Sequence, residues 1–493
     1  MNVAISKISS SYPIIAPFNP SEKYPEYRFG KINNEPNEVY SAVRKTFVLL
    51  GLDRENFRTP AWNPLGRIIN PGNTVFIKPN FVDHKHRYND DVWSVITHPS
   101  VIRAAADYVA LALKGRGKII IGDNPHVDAK FETIKEICSL DLMAANYRRQ
   151  GIECEIVDLR KWHMPDLKYY GFKEGRISLE GDPHGSTTLN VGKKSYFNGC
   201  IPILFHGTYT DRFETIRHHI FNKHEYVFSN SILSADVYVS IPKLKSHAKV
   251  GATLNIKGLI GTISEKNTLV HWSIGYPLLG GDEYPPPAET KDYFKLYFQH
   301  FLLSIIPGKL YFSLRNCFNK TRIGKIYNRK INTEYQKNKM LRGAWDGNDT
   351  TWRMTADVYN AFVKDITGLR NNKDWPFKGF SVVDGIVSGD TDGPHYPHPV
   401  KSGVIVAGED FLAVDATCVR LMDYNIQDIK YLHALLDQHH MTFDDINVLS
   451  KQFESNGFFS KNKRYLGFRP PHNWPNISLA NLKPKQAIFS VKN

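Results

Sequence analysis

The chain has 493 residues, 42% of them hydrophobic and 23% charged, with a net charge of +14. That length exceeds one ordinary core and predicts two domains or one large α/β domain with insertions, with the composition of a soluble globular protein. No apolar run reaches the ~20 residues that cross a bilayer, and the N-terminus lacks the charged-then-apolar order of a signal peptide, so the expected location is the cytoplasm.

From the N-terminus, residues 1–70 read as an extension holding one helix, 37–52, closed by Gly51. The core proper is expected over 71–275. There TVFIKPNFV (74–82) is a buried strand, 97–115 a helix with Thr97 or His98 as cap and Pro99 in its first turn, and 118–125 a second strand. A helix over 129–151 and a strand over 153–160 follow. Strands alternating with helices predict a mostly parallel, doubly wound sheet. Residues 161–230 are more polar and turn-rich, a β-rich insertion. The apolar run 235–242 then returns to α/β grammar and leads into KLKSHAKVGATLNIKGLIG, 243–261.

Residues 276–343 form an aromatic and basic insertion: Tyr, Phe and Leu over 292–314, then Lys and Arg. Residues 308–343 carry ten Lys and Arg against Glu334 alone, most of the chain's excess charge. That composition suits an interfacial anchor on an anionic membrane surface, equally a core helix followed by a solvated basic loop. Nucleic acid ranks last as a partner, because no recognised binding motif accompanies the charge. The second part of the core, 344–445, has a helix at 348–366 capped by Asn348 or Asp349, strands at 379–387 and 402–408, and a helix at 409–424; 446–493 is a tail.

The residues that could carry chemistry gather at strand ends, where open α/β sheets build their sites. Lys243, Lys245 and His247 alternate with period two, so their heads share one face of a strand, and the repulsion among them calls for an anion or an acidic neighbour. Thr253 and Lys257 follow one helical turn apart. Lys78, Asn80 and Asp123 end the first two strands, His98 starts the next helix, and His271 lies one short helix beyond the lysine segment. The loop SGDTDGPHYPHP, with Asp390, Asp392, His395 and His398, mixes carboxylate and imidazole; it suits a divalent metal as well as it suits a turn. Asp349, Arg353 and Asp357 fall on one helix face, an ion-pair stripe or an anion clamp. Asp415, inside an apolar helix, needs a partner, for which Lys257 or another site lysine is suitable. The five cysteines, Cys138, Cys154, Cys200, Cys317 and Cys418, contain no C-x-x-C pair, which excludes an iron–sulfur cluster built from local spacing and predicts free thiols.

VFIKPNFV, THPSVIRA, IIIGDNP, ADVYVSIPKLKSHAKVGATLNIKGLIG, GNDTTWRMTADVYN, VVDGIVSGDTDGP and FLAVDATCVR occur in an order that resembles the domain of unknown function 362 family, over roughly residues 70–440. The resemblance implies one α/β domain with an uncharacterised or metal-linked, often redox-annotated role. Many relatives carry ferredoxin-type cysteine motifs, which this chain lacks. A more distant likeness, of arrangement only, is to nickel-dependent lactate racemase; it implies His98, Lys243, His247 and Lys257 as acid/base and cofactor-contacting groups.

The expectation is therefore an enzyme for a small anionic substrate, carboxylated, phosphorylated or sugar-linked, with metal- or anionic-cofactor-dependent acid/base or redox chemistry, as in a metal-dependent isomerase, lyase or oxidoreductase. His247, His98 and Lys257 would be catalytic. Lys78, Asn80, Lys243, Lys245, Thr253 and Arg353 would bind substrate. Asp123, His271, Asp390, Asp392 and His395 are the metal-ligand candidates, with the cofactor otherwise unassigned. The alternative is a non-catalytic anion-binding or assembly protein docked at the inner face of a membrane through its basic insertion. The oligomeric state is not read from the sequence.

Overall fold

A computed structural model describes residues 1–9, 11–165, 175–208, 212–286, 297–298, 301, 306, 308–325, 342–364 and 378–479. The protein is a mixed α/β fold whose central sheet has ten strands: β1 (Asn2–Lys7), β2 (Thr74–Pro79), β3 (Lys118–Asp123), β4 (Glu153–Asp158), β5 (Val237–Ile241), β6 (Lys243–His247), β7 (Gly251–Thr253), β8 (Gly379–Asp390), β9 (His398–Gly408) and β10 (Asn447–Ser450). Its spine runs β10-β1-β9-β8-β5-β2-β3-β4, with β6 beside β8 and β7 beside β6. The pairs β8–β5, β5–β2, β2–β3, β3–β4, β6–β8 and β1–β10 are parallel, while β8–β9, β1–β9 and β6–β7 are antiparallel. The carboxyl ends of β2, β3 and β5 therefore lie along one edge.

The strands read as continuous apolar runs because both faces are covered. Val75, Ile77, Ile119, Ile121, Val237 and Val239 pack into the core under α1 (Glu38–Leu49) and α2 (Pro99–Leu113). Phe76, Ile120 and Tyr238, one residue out of phase, enter the opposite core. Each such buried side chain contributes about 1.5–3 kcal/mol. Asn37 caps α1 and His98 caps α2 with Pro99 as first helical residue; α2 ends on Lys114 and Gly115, both with positive φ.

Four boundaries differ from the sequence expectation. The helix expected over 129–151 is two, α3 (Phe131–Ile137) and α4 (Leu140–Arg148), broken at Ser139 with φ 50°. In the lysine segment, Pro242 ends β5, β6 starts at Lys243, and the chain turns back as β7 before α5 (Asn255–Gly258). Thr253 is thus a strand residue and not on a helix with Lys257. The loop at 388–399 shrinks to a hairpin turn, because β8 runs through Asp390 and β9 starts at His398. The last difference is at the termini: Asn2–Lys7 and Asn447–Ser450, in the stretches read as extension and tail, are strands of the main sheet.

The polar region 161–230 adds two two-stranded sheets, 162–163 with 177–178 and 186–190 with 225–229. In the basic insertion α6 (Gly308–Lys320) is described; much of the aromatic and basic run, 287–296 and 326–341 included, lies outside the described residues. Helices α7 (Thr351–Phe362), α8 (Phe411–Leu421) and α9 (Lys430–Gln438) cover the second face. Among the described residues no helix is long and apolar enough to cross a membrane.

Candidate functional site

Lys78 and Asp123, at the ends of neighbouring parallel strands, form a buried ion pair of 2.8 Å. Asp123 is held in place by the N–H of Phe81, which donates to Oδ2 at 2.7 Å. A β-carbon at Gly261 would collide with Asp123 Oδ1 and come within 2.7 Å of Lys78 Nζ, so the 259–262 turn approaches this pair only because residue 261 is glycine. On the next strand, Lys245 Nζ donates to the carbonyls of Val95 at 2.5 Å and Pro394 at 3.1 Å. Lys266 Nζ donates to Asn124 O at 3.1 Å, and Lys249 Nζ to Arg342 O at 2.7 Å while lying over the Trp272 ring.

These cations perturb one another. Burial, then Lys78, lowers Lys257 to about 8 against the opposing pull of Asp123. Burial and Arg160 lower Lys266 to about 7, and burial lowers Lys249 to about 7, with Arg342 and Lys257 adding to it and Asp282 opposing. Lys245 is pushed well below the lysine range by burial, Lys243 and Lys257. Lys249, Lys257 and Lys266 are half-buried residues, so the cluster reaches the protein surface. Asn124, whose carbonyl accepts from Lys266, has a buried Oδ1 with no hydrogen-bond partner, as do Asn80 at Oδ1 and Thr253, the strand partner of Lys245, at Oγ1.

His247 belongs to this group; burial, then Lys257, Lys245 and Lys249, push it well below the histidine range. Its Nδ1 accepts the N–H of Lys249 at 3.0 Å. The neutral ring therefore carries its proton on Nε2, and in that state His247 is a hydrogen-bond donor at Nε2 rather than a base. His271 is likewise held neutral by burial, Lys249 and Lys257, its Nδ1 on Leu269 O at 3.1 Å.

Other expected residues lie elsewhere. Lys243 is fully buried and belongs to an internal network: Nζ donates to Asp384 at 2.9 Å and to Tyr12 Oη at 2.7 Å, and Tyr12 donates to Asp384 at 2.7 Å. His98 joins it, stacked on Tyr12 at 3.9 Å between centroids, with its backbone N–H on Asp384 and its Nδ1 accepting from Ser100 N. Both are positioned as core groups. Arg353 pairs with Asp349 at 2.7 Å and donates to Tyr196 O, as in the ion-pair stripe of the two readings. Asp357 leaves that stripe to accept from Tyr196 N, Tyr226 Oη and Ser195 Oγ. Asp415 is not partnered by lysine: it accepts from Asn255 N, Asn255 Nδ2 and Ile256 N at 2.8–3.0 Å, capping the turn that carries Lys257.

The five metal-ligand candidates are dispersed. Asp123 is on Lys78, Asp390 is held bidentately by Arg469 at 2.9 Å, Asp392 accepts the His472 N–H, and His395 Nδ1 is 3.0 Å from Asp83. Among the described residues no group of three or more His, Cys, Asp or Glu is placed to hold a metal ion. All five cysteines are free thiols. Lys249 and Lys266 were missed by the sequence reading. Lys249 continues the period-two row 243, 245, 247 and could have been found; Lys266 reaches the cluster only through the fold.

The architecture is thus that of an α/β protein with a cluster of lysines where its parallel strands end. Residues 179–420 match the family model described as "Domain of unknown function (DUF362)". It contains β5 to β7 and the lysine row, whereas Lys78 and Asp123 come from strands that precede the matched span. The chain is also similar to the thylakoid-associated protein sll1697 of Synechocystis, 24% identical over 202 residues. That match covers 41% of this chain and 43% of the relative's length.

Proposed function

We propose that this protein is an enzyme whose lysine cluster binds a small anionic substrate, a carboxylate or phosphate that also bears hydroxyl groups. The observation that carries the reading is the grouping of Lys249 and Lys266 around Lys257, whose charge acts on both, with burial as the main cause that lowers the three to about 7, 7 and 8. A site of this kind lowers its own energy by taking up an anion, which restores the protonated state of the lysines. The unpartnered acceptors Asn80 Oδ1, Asn124 Oδ1 and Thr253 Oγ1 favour a ligand that brings hydroxyl donors.

In the chemistry we infer, Lys257 is the proton-transfer group, since an amine near pKa 8 exists in both forms at neutral pH. His247 donates from Nε2 to oxygen on which charge develops. Lys78, paired with Asp123, sets the electrostatics around Lys257.

The test is calorimetric titration of the full chain with glucarate, citrate and phosphate near pH 8, repeated in buffers of different ionisation enthalpy. Binding should take up about one to two protons as the lysines return toward their ordinary range. No binding of any of the three, or binding without proton uptake, refutes the reading.

A further inference from the structure

Helix α6, Gly308–Lys320, lies outside the lysine cluster and presents apolar side chains to solvent. Leu310, Leu314 and Phe318 are 50%, 54% and 41% exposed. They stand four residues apart, so they fall on one face of the helix within about a quarter turn. Ile323, just past the helix, is 72% exposed, and Phe298 and Phe301, shortly before it, are 62% and 55% exposed. Leaving such groups in water costs the folded chain the stabilisation that burial would bring, and a contiguous apolar stripe of this kind marks an interaction surface. Lys320, Arg322 and Lys325 are exposed at the same end of the helix.

We infer that α6 is a docking element for an anionic lipid surface, lying in the plane of the membrane with Leu310, Leu314 and Phe318 below the headgroups and Lys320, Arg322 and Lys325 among them. Charge complementarity selects this occupant. A protein partner for the stripe alone would not call for three cations at its end, whereas anionic headgroups attract each nearby cation and the acyl boundary takes the apolar face. The assignment is independent of the anion site, and the two can fail separately.

The experiment is co-sedimentation of the full chain with phosphatidylcholine vesicles, with and without phosphatidylglycerol, at low and high salt. Three forms are compared: wild type, L314E/F318E and K320E/R322E. The altered side chains are exposed, so the variants should melt like wild type. The expected result is binding to the anionic vesicles that falls about tenfold or more at high salt and in either variant. Three outcomes overturn the inference. One is no binding to anionic vesicles. Another is binding that L314E/F318E leaves unchanged. The third is a wild-type dimer in light scattering that L314E/F318E turns to monomer without vesicle binding, which would give the stripe to a second copy of the chain.

Discussion

Replacing Lys257 with methionine should make the protein more stable at neutral pH, the reverse of what loss of a buried polar contact usually does. Lys257 has an ordinary pKa of 10.5 in the unfolded chain and about 8 in the folded one. The unfolded state therefore holds this proton over a pH range in which the folded state has released it, and stability rises with pH between about 8 and 10.5. Below pH 8 both states are protonated and the folded chain carries the full cost of burying a cation, with the repulsion of Lys78 added to it. At 1.36 kcal/mol per pH unit the drop is worth about 3 kcal/mol, or about 2 kcal/mol after solvent screening at a half-buried tip. Lys257→Met removes that cost at similar volume. Urea unfolding from pH 6.5 to 9.5 should show the variant about 2 kcal/mol ahead at the acid end, with the gap closing toward the alkaline end. Citrate should stabilise wild type and leave the variant unmoved. A variant less stable than wild type at pH 7, or a gap that does not change with pH, would refute the electrostatic account of the lysine cluster.

Further outcomes at three residues follow from the geometry. Lys243→Met should destabilise by about 3–5 kcal/mol in chemical denaturation, because it leaves Asp384 charged in a fully buried network, and the double variant with Asp384→Asn should recover much of the loss. Asp415→Ala should cost about 2–4 kcal/mol by orphaning three donors, and it should weaken citrate binding because α5 carries Lys257. Burial raises Asp415 from 3.8 to about 7, so its contribution is fully present below pH 4 and is lost as pH rises through 7. Asp415→Asn should flatten the stability profile over that window in thermal melts. Gly261→Ala should reduce citrate affinity measured by calorimetry, since its β-carbon would displace Asp123 or Lys78.

The sheet was legible because its strands are buried on both faces and so leave unbroken apolar runs such as Val75–Ile77 and Ile119–Ile121. Asn2–Lys7 was not, since its apolar residues become a strand by pairing with Val404–Gly408 and Asn447–Ser450, both far along the chain. The candidate site divides in the same way. That Lys243, Lys245 and His247 are interior groups follows from their place at the end of a buried strand. What each does is decided by partners the sequence places far away. Asp384, 141 residues on, takes Lys243 into the core. Val95 and Pro394 bind Lys245 by carbonyls, which carry no side-chain signal to read. The next residues of the row show the reverse case. The N–H of Lys249 fixes the proton of His247 on Nε2, a backbone contact two residues away that no choice of side chain reveals. The same segment thus supplies a structural ion pair at one end, Lys243 with Asp384, and at the other lysines that make no ion pair among the described residues. Under the proposed function these lysines, together with Lys266, are the charges that an anionic ligand complements.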